Sequence, residues 1–336
     1  MKFGILLNHE YPMSADVSQK LKDLVTMTQA ARDLGFDSLF GMQHYVSSLA
    51  TLQPLPLLSH LASHAGGMEM GTGVYLATLE HPVQLAENFA TFDHLCGGRL
   101  VLGLGAGYRR NEFDAFGVER STRWSRLAET LVLLRALWSG EEVNHRGRHF
   151  EVVEHRLSLL PQQPQPAIWI GANAEVTIRR AAKMGGDAWM APPNVKRRWA
   201  KGHLEIFNEE LVANGFELAG RRRPIIRELC LAETDAGAAA VEPYIRAEYA
   251  EFSQYGIESW KTMFDDLSQK AFLFGSADTV AEGIEDLADG GFDEFIFRVS
   301  WGELPVERAI ETMQRFAEDV RPRFETSRIH ATTSHP

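Results

Sequence analysis

The chain has 336 residues, 45% of them hydrophobic and 24% charged, an ordinary globular composition with enough apolar material for a sizeable core. Its formal net charge of -11 excludes a general nucleic-acid binder, which carries a basic stripe. The two cysteines, Cys96 and Cys230, form no CxxC pair, which excludes thioredoxin-like and zinc-ribbon motifs and leaves reduced thiols in a cytoplasmic protein as the expectation.

The chain opens on an apolar run, Phe3–Leu7, that reads as a strand and is too short for a signal peptide or a membrane span. A helical stripe follows at Val17, Leu21, Leu24, Met27, Ala31 and Leu34, with Gly35 as its stop. Further strands are predicted at Ser38–Met42, Met68–Tyr75, Arg99–Gly105, Ala167–Gly171, Asp187–Met190, Ile225–Ala232 and Glu294–Val299. Several are nearly continuous apolar runs, as parallel strands buried on both faces are. Trp124, Leu127, Leu131, Leu134 and Trp138 make a second helical stripe, closed by Gly140. Val306, Ile310, Met313, Phe316 and Val320 make another, closed by Pro322. Pro82, Asp278 and Pro305 suit helix N-termini.

This alternation predicts a parallel sheet with helical crossovers, and eight strands over about 300 residues favour a closed (β/α)8 barrel. The expected organisation is a single domain over residues 1–326, with 327–336 as a disordered tail. An open doubly wound sheet is the alternative. Its GxGxxG turn is missing after the first strand, where Asn8-His9-Glu10 stands instead. The one glycine-rich segment, Gly103-Leu104-Gly105-Ala106-Gly107, follows the fourth strand and has the wrong spacing. Two insertions interrupt the pattern. Glu141–Pro166, after the fourth strand and its helix, is expected to hold short strands. Thr234–Lys270, after the seventh strand, contains Tyr244, Tyr249, Phe252, Tyr255, Trp260 and Phe264. It reads either as a lid or as a helical hairpin packed on the barrel wall. The basic run Arg221-Arg222-Arg223 reads as a solvated loop.

Catalytic groups of a barrel sit at the C-terminal ends of its strands. Those ends offer Asn8 and His9, Gln43 and His44, Gly73-Val74-Tyr75, Gly105 to Tyr108, Ala172-Asn173, Trp189, and Arg298 with Trp301. No lysine falls at such an end, which excludes a Schiff-base nucleophile. There is no His-x-His, GxSxG or GxxxxGK[ST], and the spaced pair His60 and His64 has no third ligand, so no metal site is expected. One imidazole, several glycines and some aromatics suit a cofactor that brings its own reactivity.

Several segments together resemble the luciferase-like flavin oxidoreductases. They are Gly35-Phe36-Asp37-Ser38-Leu39 leading into Gln43-His44-Tyr45, then Gly71-Thr72-Gly73-Val74, and His81-Pro82-Val83 followed by Ala86-Glu87. The longest runs from Asp93-His94-Leu95-Cys96-Gly97-Gly98-Arg99 to Gly103-Leu104-Gly105-Ala106-Gly107-Tyr108 and Glu112-Phe113. Ile168-Trp169-Ile170-Gly171 completes the set, and the order and spacing cover Met1 to about Phe324. The resemblance implies a barrel of the bacterial luciferase type that binds FMN, or the deazaflavin F420, at its C-terminal mouth. It implies His44 as the active-site histidine, preceded here by Gln43 where the relatives carry an acid. It implies a non-prolyl cis peptide under the flavin ring, by position Gly73-Val74. Gln43, Gly105, Ala106, Tyr108 and Asn173 would line the cofactor. The phosphate would sit at a helix N-terminus formed by Ala174, Glu175 and Thr177. Bacterial luciferase has a serine where this chain has Ala174 and an arginine where it has Ala106. Arg109 and Arg110, just beyond, either compensate or are solvated.

The leading expectation is a two-component monooxygenase. Reduced FMN would come from a separate NAD(P)H flavin reductase and react with O2 beside a small apolar organic substrate. Asn8, Phe40, Trp189, Arg298 and Trp301 would shape the substrate pocket. F420-dependent hydride transfer is the alternative, with Arg109, Arg110 and Arg221 to Arg223 as candidates for the basic groove its acidic tail needs. A non-catalytic flavin-binding homologue is the third reading. The resemblance also implies a homodimer.

Overall fold

The structure is a computed structural model that describes residues 1–255 and 259–325. The expected disordered tail, 327–336, lies outside the described residues, as do 256–258 of the expected lid. Eight parallel strands form the frame: β1 Lys2–Leu6, β2 Ser38–Gly41, β3 Glu69–Tyr75, β4 Leu100–Gly105, β5 Ala167–Gly171, β6 Ala188–Met190, β7 Pro224–Leu231 and β8 Glu294–Arg298. Strands β1 to β6 pair in sequence order, β7 pairs with β8, and β8 returns to β1. The ring closes just past β6, where Ala191 bridges in parallel to Ile225 of β7. The predicted strands therefore form a curled parallel sheet closed into a barrel.

Period-two alternation explains why the strands are apolar on both faces. Leu6, Phe40, Val101, Trp169, Met190, Ile226 and Ile296 point inward and fill the barrel. Their neighbours Ile5, Leu39, Leu102, Ile168, Ile225, Phe295 and Phe297 point outward into the layer shared with the helices. The helix Val17–Asp33 begins at Asp16, whose carboxylate accepts from Gln19 N at 3.1 Å, and ends at Gly35, with φ of 74°. The last helix departs from expectation. Pro322 does not stop it. The helix Val306–Arg315 widens into a π turn, Phe316–Val320, and continues helically to residue 325. A wider turn just before the proline accommodates its missing N–H.

Residues 141–166 carry an antiparallel hairpin, Val143–Arg146 with Glu151–His155. The second insertion forms helices Asp235–Ala238, Glu242–Ser253 and Ser259–Lys270. It returns through a strand the periodicity does not show, Leu273–Gly275. That strand pairs with Leu229 to Leu231, the part of β7 that extends past its pairing with β8. Unpaired backbone there would lack hydrogen-bond partners.

The basic run is not a solvated loop. Arg222 lies at the N-terminal end of the barrel, where its Nη2 is 2.6 Å from Glu69 Oε2 and also pairs with Glu294. Its guanidinium stacks 4.7 Å from the Trp169 ring centroid. Its carboxylate partners come from β3 and β8, far away in sequence. No helix among the described residues is long and apolar enough to cross a membrane.

Candidate active site

A cavity of about 400 Å³ opens at the C-terminal ends of the strands. Its walls come from almost every strand: Leu6, Met42 to His44, Gly73 and Val74, Gly105 to Tyr108, Gly171 to Ala174, Met190, Ile226 and Arg298. The insertion adds Tyr249 and Phe252, so it both packs on the barrel and roofs the cavity.

His44 enters on the loop after β2. Its ring stands at 90° to Tyr108, 6.2 Å between centroids, and 5.9 Å from Phe252. Its Nδ1 donates to both carboxylate oxygens of Glu10, at 3.0 and 3.1 Å. Glu10 is fully buried and also accepts from Thr51 Oγ1 at 3.2 Å. Burial alone would raise the Glu10 carboxyl. His44, by charge and hydrogen bond, and Arg109, by charge, overcome that and hold it down at about 2. Glu10 is therefore ionised at neutral pH. Occupation of Nδ1 leaves Nε2 as the ring nitrogen available to the cavity.

The acid that partners the histidine thus comes from the end of β1 rather than from position 43. Gln43 has a different task. Its backbone N donates to Val74 O at 3.0 Å, and its Oε1 accepts from Leu76 N at 2.8 Å. Its Nε2 donates to Tyr45 Oη at 2.8 Å. Gln43 pins the irregular end of β3, where Gly73-Val74 is a cis peptide and the pairing with β4 shifts register.

The Val74 side chain fits between two glycines. A Cβ at Gly105 would come within 2.5 Å of Val74 Cγ2, and one at Gly171 within 2.8 Å of Cγ1. Those glycines let an apolar ridge stand at the cavity wall. At the far end the helix Glu175–Lys183 starts at Ala174. The Thr177 hydroxyl accepts from Ala174 N at 3.1 Å and donates to Ala174 O at 2.7 Å, so it is committed to closing its own helix start. Asn173, Ala174 and Glu175 are exposed, and Asn173, Ala174 and Thr177 line the cavity.

Of the five expected substrate-pocket residues, Arg298 lines the cavity. Phe40 lies deeper inside the barrel, 5.7 Å from the Trp169 ring. Trp189 faces the helix layer, its Nε1 donating to Ala172 O at 2.8 Å. Trp301 lies under the insertion and donates to Glu228 Oε2 at 2.7 Å. Asn8 donates to Glu248 Oε2 at 3.1 Å, away from the cavity walls. Sequence position sets the height of a residue on its strand, but the direction of the side chain depends on register.

Neither Arg109 nor Arg110 reaches the cavity wall. Arg110 is exposed, 3.7 Å from Asp114. Arg109 is fully buried behind Tyr108, its guanidinium 4.1 Å from the Tyr255 ring centroid and 5.4 Å from that of Phe252. Arg221 to Arg223 are at the opposite end of the barrel, so they form no groove at this mouth. Reading strand ends alone missed Glu10, Arg123 and Asn194. Glu10 carried a signal, being an acid three residues past the predicted strand Phe3–Leu7, next to the noted Asn8 and His9.

A parallel barrel whose mouth holds an apolar slot and a carboxylate-held imidazole has the form of an enzyme's active site. The chain belongs to the luciferase-like monooxygenase family, whose model matches residues 1–294. It is 24% identical to the oxygenase component of a flavin-dependent trigonelline monooxygenase from Acinetobacter baylyi, over 99% of each chain. It is 33% identical to an F420-dependent hydroxymycolic acid dehydrogenase from Mycobacterium tuberculosis, over 56% of this chain and 52% of the other. The crystal structure of monooxygenase RslO1 from Streptomyces bottropensis superposes with a TM-score of 0.82 at 25% identity, covering 96% of this chain and all of that one. The chain is thus a luciferase-like oxidoreductase of the monooxygenase type.

Proposed function

We propose that this chain is the oxygenase component of a two-component flavin monooxygenase. It takes reduced FMN from a separate NAD(P)H flavin reductase and uses O2 to oxidise a small apolar organic substrate. The observation that carries this reading is the slot itself, with the Val74 ridge beside a histidine whose Nδ1 is held by a buried carboxylate. The residues suit a flavin. Gly105, Ala106 and Gly107 keep one wall small, and Leu6, Met42, Met190 and Ile226 make the surroundings apolar.

When bound, reduced flavin supplies the electrons and the reactivity toward O2. The Gly73-Val74 segment would support the ring, and Asn173, Ala174 and Thr177 would face the phosphate end. His44 would give or take a proton at Nε2, with Glu10 fixing the tautomer and ring direction. Leu76, Tyr249 and Phe252 would keep water from the reacting centre. Oxygen uptake after mixing the purified chain with reduced FMN tests the reading, and failure to bind flavin at micromolar concentration overturns it.

Glu10 yields a separate prediction. Glu10→Gln keeps the shape and removes the charge, so kcat is expected to fall about 100-fold. The Kd for reduced flavin should stay within about threefold, because Glu10 acts through His44 rather than through the cofactor. Glu10→Asp should recover part of the loss. Equal changes in kcat and flavin Kd would assign Glu10 a purely structural role.

F420-dependent hydride transfer is the second reading, favoured by the 33% identity to an F420-dependent relative. Parallel titrations with FMN and F420 separate the two.

A further inference from the structure

One arginine at the cavity wall has two exposed arginines for neighbours and, among the described residues, no carboxylate partner. Arg123 lines the cavity, half-buried at the start of the helix Arg123–Leu137. Its Nη1 donates to Arg120 O at 3.0 Å. Partial burial, and then the positive charges of Arg120 and Arg180, push its guanidinium pKa down. The three come from separate places: Arg120 from the turn Arg120–Thr122, Arg123 from the helix that follows, and Arg180 from the helix Glu175–Lys183. Among the described residues none of the three forms a salt bridge, although the chain has 45 acidic residues against 34 basic ones. Glu175, the acid in the first turn of the neighbouring helix, is turned back onto Arg179, 2.9 Å from its Nη2. Trp124, which also lines the cavity, has a buried indole N–H with no partner.

A half-buried arginine at the cavity wall, next to two exposed arginines and with no carboxylate on any of the three in a chain with an excess of acids, leaves a place for an anion. Resting on the flavin reading above, we infer that Arg123, flanked by Arg120 and Arg180, is the anion grip of this cavity and takes the phosphate-bearing end of the cofactor. This assigns to the segment 120–123 the role that Ala106 and Ala174 cannot fill. It also frees Arg109 for its buried place beside Glu10. A guanidinium suits the task because its planar fork meets phosphate oxygens in pairs. The phosphate chemistry is common to a terminal monoester, as in FMN, and to the longer acidic tail of F420.

The test is binding, read by quenching of protein fluorescence. The chain is titrated with riboflavin, FMN and F420, oxidised and chemically reduced, at two salt concentrations. The wild type should bind FMN or F420 at least about tenfold more tightly than riboflavin, and this preference should weaken in salt. The better ligand of the two identifies the source of the phosphate. Arg123→Ala should bring the preference to within about threefold while riboflavin affinity stays unchanged, and Arg123→Lys should recover part of it. Unchanged riboflavin binding also shows that the variant is folded, and Arg180→Glu provides an independent second lesion with the same expected direction. The inference is overturned if riboflavin binds as well as FMN and F420, or if Arg123→Ala keeps the preference. If none of the three binds, the flavin reading fails and this inference fails with it.

Discussion

His44→Ala is expected to lower kcat for substrate oxidation by roughly 10²–10⁴-fold, the usual range for losing a positioned acid–base group. The Kd for reduced flavin should change little, because the cavity wall is also built from Val74, Ala106, Ile226 and residues of five other strands. Added imidazole should restore part of the rate, since the space left beside Glu10 keeps a buried carboxylate ready to hold Nδ1 of a free ring. Steady-state kinetics with saturating reduced flavin check this. An unchanged kcat would remove His44 from the chemistry, whereas flavin binding without turnover in the wild type would leave the chain as a flavin-binding homologue.

Arg298→Met is expected to be the most damaging single change to stability. Arg298 donates to both Glu228 and Glu248, and all three are buried. Around them Tyr249 Oη donates to Glu228 Oε1 at 2.8 Å and Gly302 N donates to Glu248 Oε2 at 2.9 Å. The network joins β7, β8 and the insertion helix Glu242–Ser253. Removing its cation leaves two buried carboxylates without their positive partner, and a loss of about 3–5 kcal/mol in denaturant unfolding is expected. Glu248→Gln should cost much less. Burial pushes the Glu248 carboxyl up from 4.5 to about 7, and the charge of Arg298 only partly opposes this. A raised carboxyl favours the folded state when protonated. Its contribution is therefore complete below pH 4.5, declines as pH rises, and is gone above about 7. Glu248→Gln should flatten that part of the stability profile. A fall in stability below about 1 kcal/mol for Arg298→Met would mean that water reaches the network.

Much of the frame can be read from residue order, because strand–helix alternation is local. Each apolar run at Phe3–Leu7, Ser38–Met42 or Glu294–Val299 becomes a strand within a residue or two of its expected limits. The last helix and the strand Leu273–Gly275 differ for reasons that hydrophobic periodicity does not carry. One depends on a widened turn before Pro322, and the other on a stretch of β7 that needs a neighbour.

The site divides in the same way. The chain-long resemblance identifies the family, and it points to the cis peptide Gly73-Val74 and to His44, which lines the cavity, because those features lie in contiguous motifs at strand ends. Tertiary structure alone decides which acid holds the histidine. Glu10 and His44 are 34 positions apart and meet only because β1 and β2 are neighbours in the ring. It also decides that Phe40 and Trp189 face the core while Tyr249 and Phe252 reach the cavity. The arginines follow the same rule. Arg222 finds Glu69 and Glu294 at the barrel floor, Arg109 is buried under Tyr255, and Arg123 is left at the mouth. The period of the chain sets which elements form. The charges and side-chain directions that make the site depend on contacts between strands, which no local pattern encodes.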